Sequence, residues 1–164
     1  SRPLTVLAQD VGLTPYSAPS VKFVDVIGLT DATIARTLYE ANYTPYIRYL
    51  LWGDSAARGR ILEMEARVRS YLETCKADHV IINVNCEPAE VNAARRALAQ
   101  KDASFFLSQL RENVFFCSFT QTAEFKLNYR LLEGREFSAV HYLLLFERVQ
   151  RQSPRLGLGR LPHR

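Results

Sequence analysis

The sequence predicts a single α/β domain in which a mixed, partly parallel sheet of about five strands is flanked by helices. Short apolar runs bounded by Gly, Pro or Asp alternate with longer segments that carry apolar residues at helical spacing, an order typical of βαβ units. The last two predicted strands have little helix between them, so we expect the sheet to be mixed at that end. The 164 residues are 48% apolar and 23% charged, which suits one globular domain with a hydrophobic core.

The N-terminal elements are two strands and two helical segments. Leu4–Gln9 and Val21–Gly28 are β-rich apolar runs that end at Asp-Val-Gly and at Gly, so each predicts a strand. Between them, residues 14–19 carry a proline at a first-turn position, which permits a short helical segment. Residues 30–42 predict a helix, and Pro45 breaks the segment that follows.

The clearest helix is predicted over residues 55–76. Its apolar residues fall on one helical face, and they are Ile61, Met64, Val68, Tyr71 and Leu72. His79–Val84 predicts a third strand, and residues 87–100 predict a helix with a proline in its first turn. Residues 104–112 either continue that helix or form another.

The C-terminal part of the domain predicts two further strands. Residues 113–120 form an aromatic run that predicts a fourth strand, and Val140–Val149 predicts a fifth. A turn is predicted at residues 132–136, before the fifth strand. We therefore expect an α/β domain over residues 1–149 and a basic, flexible C-terminal tail over residues 150–164.

The net charge of +4 is concentrated at the C-terminal end. From Arg148 onward the chain carries five arginines and no acidic residue, so we expect a mobile, solvated segment. Contact with anionic lipid is the alternative interpretation. Nucleic acid is disfavoured as a partner because no aromatic RNA-binding motif accompanies the arginines. The chain begins with Ser, so we expect a fragment of a longer protein, and no apolar run in it is long enough to span a bilayer.

Disulfide, metal and cofactor sites have no support in the sequence. Cys75, Cys86 and Cys117 are too few and too scattered for a disulfide scaffold, and the sequence leaves their redox state open. The chain has no C-x-x-C motif and no pair of histidines at metal-ligand spacing. Phosphate-binding loops, dinucleotide fingerprints and G-x-S-x-G elbows are also absent from it. We expect no cofactor.

Two Asp-containing turns stand one strand apart. Asp10 and Gly12 follow the first strand, and Asp31 follows the second, where ligands bind in open α/β sheets. These residues either flank a crevice or cap the adjacent backbone, and Thr30 or Asp31 can cap the helix that follows. Asp25 lies inside an apolar predicted strand, and three interpretations of it are open. Its side chain points outward into solvent, or it is buried and accepts hydrogen bonds from nearby donors, or it serves as a catalytic acid.

A dense group of aromatic residues follows the first predicted helix. Its members are Tyr39, Tyr43, Tyr46, Tyr49 and Trp52, with Arg48 among them. Aromatic faces beside polar groups can hold sugars or lie at a lipid–water boundary. The simpler interpretation is that this connection packs on the sheet.

Several of these motifs together resemble a known family. The chain is similar to the soluble C-terminal domain of bacterial multi-spanning membrane glycosyltransferases, which are related to protein mannosyltransferases and aminoarabinose transferases. The matching residues are Asp10, Gly12, Tyr16, Asp25, Gly28, Leu29, Asp31 and Ile34–Arg36, followed by weaker matches at 76–83, 127–132 and 142–148. The aromatic segment Tyr39–Trp52 is not part of the family pattern.

The resemblance implies a non-catalytic domain on the periplasmic face of the inner membrane, packed against the transmembrane part of its parent chain. That enzyme would transfer a sugar from a polyprenyl phosphate, and its catalytic acids would lie outside this chain. The Asp and Gly residues of the motif would then fix turns. For contact with a saccharide or lipid-linked acceptor, the candidates are Tyr16, Asp31, Tyr43, Tyr46 and Trp52.

Two alternatives stay open at this point. The first is a freestanding small-ligand-binding module with a crevice between Asp10 and Asp31. The second is a small hydrolase that uses Asp10 or Asp25 together with a histidine.

Overall fold

The computed structural model describes residues 2–8, 17–26, 31–40, 58–110 and 114–149. Within these ranges the strands are β1 (Leu4–Ala8), β2 (Val21–Asp25), β3 (His79–Asn85), β4 (Tyr129–Ser138) and β5 (His141–Arg148). The helices are α1 (Ala32–Glu40), α2 (Arg58–Cys75), α3 (Val91–Ala99), α4 (Ala103–Ser108), α5 (Val114–Thr120) and α6 (Ala123–Asn128), and a 3₁₀ turn at Pro88–Glu90 precedes α3.

The strands form one mixed sheet in the order β2-β1-β3-β5-β4. β1 pairs in parallel with β2 and with β3, and Val6 lies opposite both Phe23 and His79. β5 is antiparallel to β3 and to β4. The predicted α/β domain with a five-stranded, partly parallel sheet and flanking helices is therefore confirmed.

The described helices pack on one face of the sheet. Alternation along β3 turns Val80, Ile82 and Val84 into this interface. Met64, Val68 and Leu72 of α2 are buried there, as their helical spacing predicts. The opposite face carries a smaller apolar cluster, in which Val6 and Ala8 of β1 are buried and pack with Val21, Phe23 and Ile81.

Two predictions for the C-terminal part are wrong. Residues 113–120 do not form a strand, because Val114–Thr120 is helix α5, which buries Phe115, Phe116 and Phe119 at helical spacing. The turn predicted at 132–136 lies inside β4, and the sheet is mixed because β5 runs antiparallel to both β3 and β4. Residues 104–108 do not continue α3, since they belong to the separate helix α4, at whose start the Asp102 side chain accepts a hydrogen bond from the Ser104 N–H.

Arg148 belongs to the folded domain rather than to the basic tail. It is the last residue of β5, and its guanidinium lies over the Tyr129 ring, 5.5 Å from the centroid. Its Nη1 donates to the Tyr129 hydroxyl at 3.3 Å, and its Nη2 forms an ion pair at 2.6 Å with Oε1 of Glu124, without hydrogen-bond alignment. The Tyr129 hydroxyl in turn donates to the Ala77 carbonyl at 2.8 Å. This cluster ties the end of β5 to α6 and to the start of β3.

Asp78, which directly precedes β3, is hydrogen-bonded to β1 and to the residues before it. Its Oδ2 accepts a hydrogen bond from the Thr5 N–H at 2.9 Å and another from Nη1 of Arg2 at 3.0 Å. Burial pushes the pKa of Asp78 upward, but these donors outweigh burial and hold the pKa below its ordinary value. The carboxylate is therefore ionised at neutral pH and its bonds are charge-assisted.

Candidate functional site

The carboxyl ends of the three parallel strands lie at one edge of the sheet. β1 ends at Ala8, β2 at Asp25 and β3 at Asn85. The chain passes from β1 to β2 on one side and then crosses to β3 on the other, so the strand order reverses at β1. Ligands of open α/β sheets bind outside the carboxyl ends of strands at such a reversal.

A pocket of about 600 Å³ opens at this edge. That volume falls within the range of small-molecule sites. The residues that line it are Asn83, Asn85, Phe137, Ser138, His141, Tyr142 and Leu143. The sequence reasoning missed this pocket entirely.

Strand alternation and register bring these residues together. Asn83 and Asn85 are exposed because they stand on the face of β3 opposite the core residues Val80, Ile82 and Val84. The antiparallel register then places Leu143 opposite Asn83 and His141 opposite Asn85. Two asparagines at i and i+2, at the end of an apolar strand, are the signal in the sequence that could have indicated the site.

The β4–β5 hairpin supplies the other side of the pocket. The Ser138 hydroxyl and Nδ1 of His141 are 2.7 Å apart, and the tautomer of His141 decides which group donates. A register shift between Glu136 and Ser138 leaves the Phe137 side chain 75% exposed at the rim. The hairpin therefore presents a hydroxyl, an imidazole and an aromatic face beside the two amides.

The polar groups of the pocket can bind a neutral ligand. Each asparagine amide offers donors and an acceptor, and the Ser138–His141 pair offers one of each. Among the described residues no carboxylate lines the pocket, so none of them orients His141 as in a Ser-His-Asp arrangement. The nearby Glu136 carboxylate is held by Arg95 of α3, with Nε and Nη2 at 3.0 and 2.7 Å from its two oxygens. The described groups of the pocket can hydrogen-bond a polar ligand.

Asp31, a predicted site residue, caps helix α1. Its Oδ1 accepts the backbone N–H groups of Thr33 at 2.9 Å and Ile34 at 3.0 Å. Its Oδ2 accepts the Tyr71 hydroxyl of α2 at 2.9 Å. Burial, and then this hydrogen bond, raise the pKa of Tyr71 well above its ordinary value. Both oxygens of Asp31 are thus engaged in holding α1 and α2 together.

Asp25, the second predicted residue within the described ranges, is buried at the end of β2. It stands opposite Ala8, on the face of the sheet away from the described helices. β1 separates β2 from β3, and both β1 and β3 separate β2 from β5, so Asp25 stands two strands from His79 and three strands from His141. The sheet does not place Asp25 on a strand next to either histidine, so the hydrolase alternative gains no support from these pairs.

The remaining predicted residues lie outside the described ranges, namely Asp10, Gly12, Tyr16, Gly28, Leu29, Tyr43, Tyr46 and Trp52. The crevice between Asp10 and Asp31 and the aromatic acceptor surface therefore stay predictions. The basic tail over 150–164 also lies outside these ranges.

The described residues form neither a metal-binding cluster nor a membrane-spanning helix. No group of three or more His, Cys, Asp or Glu residues is placed to hold a metal ion in that part of the chain. None of the helices described above combines the length and the apolar character needed to cross a membrane.

The comparisons with known proteins add no relative. No protein-family model, no curated protein and no solved structure matches this chain.

Proposed function

We propose that this chain is a non-catalytic, saccharide-binding accessory domain of a membrane glycosyltransferase that uses a polyprenyl-phosphate sugar. The observation that carries the proposal is the pocket at the carboxyl edge of the sheet, where Asn83, Asn85, Ser138, His141 and Phe137 converge. In the parent enzyme the domain lies on the periplasmic face of the inner membrane and contributes to acceptor recognition.

The chemistry of this pocket supports a sugar as its ligand. A sugar ring presents several hydroxyl groups, each able to donate and to accept a hydrogen bond. The Asn83 and Asn85 amides can donate to such groups through their NH₂ and accept from them through their carbonyl oxygen. The exposed Phe137 ring offers an apolar face against which the C–H side of a sugar ring can pack. Among the described residues that line the pocket there is no Asp, Glu, Lys or Arg, so a neutral ligand leaves none of those charges unpaired there.

The non-catalytic role is supported by the position of Asp31. In the resemblance, the motif that ends at Asp31 fixes a turn and the following helix, and the described Asp31 carboxylate has this role toward α1. The resemblance also supplies the parent enzyme, its polyprenyl-phosphate donor and the transmembrane partner, with the catalytic acids outside this chain.

Saccharide binding is tested by titrating the isotope-labelled chain with neutral monosaccharides and disaccharides while the side-chain amide signals are followed by NMR. We expect the signals of Asn83 and Asn85 to shift, and the Asn83→Ala/Asn85→Ala variant to lose binding at least tenfold. Asn92→Ala, which removes an exposed amide of α3, is the matched control and should bind as the parent chain does. If no sugar shifts the Asn83 and Asn85 signals, the saccharide proposal fails.

The glycosyltransferase context needs a separate test. The coding sequence upstream of Ser1 should specify eight or more apolar spans of about 20 residues, with an acidic pair in the first external loop. A parent reading frame without such spans would contradict this part of the proposal.

A freestanding small-ligand-binding module is the second candidate. The same pocket favours it, since the geometry at Asn83 and His141 does not depend on a membrane partner. Sugar binding without upstream spans would establish this candidate in place of the first.

A further inference from the structure

A second pocket lies at the other end of the β4–β5 pair. It measures about 570 Å³ and is bounded by α4, α6 and the first residues of β4. Arg130 on its wall is eight residues from Ser138 along β4, so the two pockets are roughly 25 Å apart. It therefore belongs to a different surface from the candidate sugar site.

The base of this pocket is apolar and its rim is cationic. Leu107, Phe125, Leu131 and Phe146 line the base. Three basic residues line it as well, namely Lys101, Lys126 and Arg130, whereas no acidic residue does in the described part of the chain. Lys126 and Arg130 are exposed and lie four residues apart, where α6 passes into β4.

The acidic residues near this pocket are already engaged with other groups. Glu124 pairs with Arg148, and Asp102 caps α4 through Ser104. Glu147 pairs with Arg130 at 2.7 Å, which leaves the charges of Lys101 and Lys126 without an acidic partner among the described residues. Nζ of Lys101 only approaches the Leu132 carbonyl, at 3.4 Å. The surface thus carries a net positive charge.

Two exposed leucines are chain neighbours of residues that line this pocket. Leu127 follows Lys126 and is 59% exposed, and Leu132 follows Leu131 and is 39% exposed. Apolar side chains interleaved with lysine and arginine are typical of surfaces that lie on anionic bilayers, where the leucines enter the headgroup boundary and the cations meet lipid phosphates. Nucleic acid would use the cations but would leave both leucines and the apolar base of the pocket unused.

We propose that the surface formed by Lys101, Lys126, Arg130, Leu127 and Leu132 docks this domain on an anionic phospholipid bilayer, with the pocket admitting part of one lipid. The inference concerns a surface separate from the sugar pocket, and it holds or fails independently of saccharide binding.

The test is vesicle co-sedimentation of the complete 164-residue chain. Vesicles of phosphatidylglycerol and phosphatidylcholine in a one-to-two ratio are compared with vesicles of phosphatidylcholine alone. Lys101→Gln/Lys126→Gln should weaken binding to the anionic vesicles by roughly 30-fold, since each basic residue near the surface changes affinity about fivefold. Circular dichroism confirms that the variants are folded.

The C-terminal arginines require a matched control, because they too can attract anionic lipid. Arg160→Gln/Arg164→Gln removes the same charge from the tail and should weaken binding by less than about threefold. Equal losses in the two double variants, or a larger loss in the tail variant, would overturn the proposal. Failure of the unmodified chain to prefer the anionic vesicles would overturn it as well.

A second pair of variants tests the apolar contribution. Leu127→Ser removes an exposed leucine of the docking surface, and Leu62→Ser removes one from α2 that is 53% exposed. Only Leu127→Ser should reduce binding, by several-fold, and equal effects would contradict membrane docking. Glycerol phosphate is the soluble probe for the headgroup alone; if it binds this surface as tightly as the vesicles do, the site is for a free phosphate and the bilayer proposal is wrong.

Discussion

The hydroxyl of Tyr71 donates to Oδ2 of Asp31 at 2.9 Å, while Oδ1 of the same carboxylate caps helix α1. Tyr71→Phe removes one hydrogen bond to a charged acceptor and leaves the cap in place, so we expect it to lower the free energy of unfolding by about 1 to 2 kcal/mol. Asp31→Ala removes both the helix cap and the hydrogen bond from Tyr71, so it should lower the free energy of unfolding further. Urea denaturation measures each loss.

The double variant Tyr71→Phe/Asp31→Ala completes a thermodynamic cycle. We expect a coupling energy of about 1 kcal/mol between the two residues. A coupling energy near zero would mean that the hydrogen bond between Tyr71 and Asp31 does not contribute to stability.

Stability should fall at alkaline pH because of Tyr129. Burial outweighs the nearby Arg148 charge and raises the pKa of Tyr129 from 10.0 to about 12. Above pH 10 the unfolded chain releases this proton while the folded chain keeps it, so Tyr129 by itself lowers the free energy of unfolding by up to about 1.4 kcal/mol per pH unit until about pH 12. Tyr71, whose pKa is also raised by burial, adds to this decline. Thermal unfolding at a series of pH values measures the decline. Tyr129→Phe should have a shallower decline over the same window, and an unchanged slope would refute the assignment.

Removal of the Arg148 guanidinium should lower the free energy of unfolding more than removal of an exposed guanidinium does. Arg148→Gln takes away the ion-pair partner of Glu124, and only about a fifth of each of these side chains is exposed (21% and 22%). We expect a loss of about 2 to 3 kcal/mol in chemical denaturation. Arg135→Gln breaks the open pair with Glu133, whose side chains are 70% and 51% exposed, and should cost less than about 1 kcal/mol. Similar losses in the two variants would argue against a structural role for Arg148.

Gly134 permits close packing between β4 and α3. A Cβ at this position would overlap Cδ1 of Leu98 and would lie 3.1 Å from Cδ2 of the buried Leu144. Gly134→Ala should therefore lower the free energy of unfolding by about 1 to 3 kcal/mol. Leu98→Ala in the same chain should recover part of that loss, as calorimetry of the two variants would show. No recovery would mean that another contact causes the damage.

Strands and helices with a clear period and clear ends were predictable from the sequence. β1, β2, β3 and β5 are apolar runs between turn residues, and α2 buries the side chains that its helical spacing places on one face. Residues 113–120 were misassigned because an aromatic run has high strand propensity in isolation. Packing of Phe115, Phe116 and Phe119 in the core overrides that propensity. β4 was not predicted because it is an edge strand, and its exposed charged residues interrupt the alternation of apolar and polar residues that indicates a strand.

The candidate site could be predicted only in part. The alternation of strands and helices indicates that Asn83 and Asn85 lie at the carboxyl end of a parallel strand, but the rest of the described lining belongs to the antiparallel β4–β5 hairpin. Its residues do not follow from sequence, because Asn85 meets His141 through the register of an antiparallel pair that joins distant segments. Asp31 was identified as either a cap or a crevice residue, and the contact with Tyr71 required the packing of α1 on α2.

The central position of β1 has a consequence for the order in which the domain folds. β1 lies between β2 and β3, and its N–H group at Thr5 is held by Asp78, 73 residues further along the chain. β4 and β5, by contrast, are joined by a two-residue turn and can pair as soon as both are made. During synthesis on the ribosome, β1 can therefore pair with both of its neighbouring strands only after β3 has emerged, whereas β4 and β5 emerge after these three strands and can pair with each other at once.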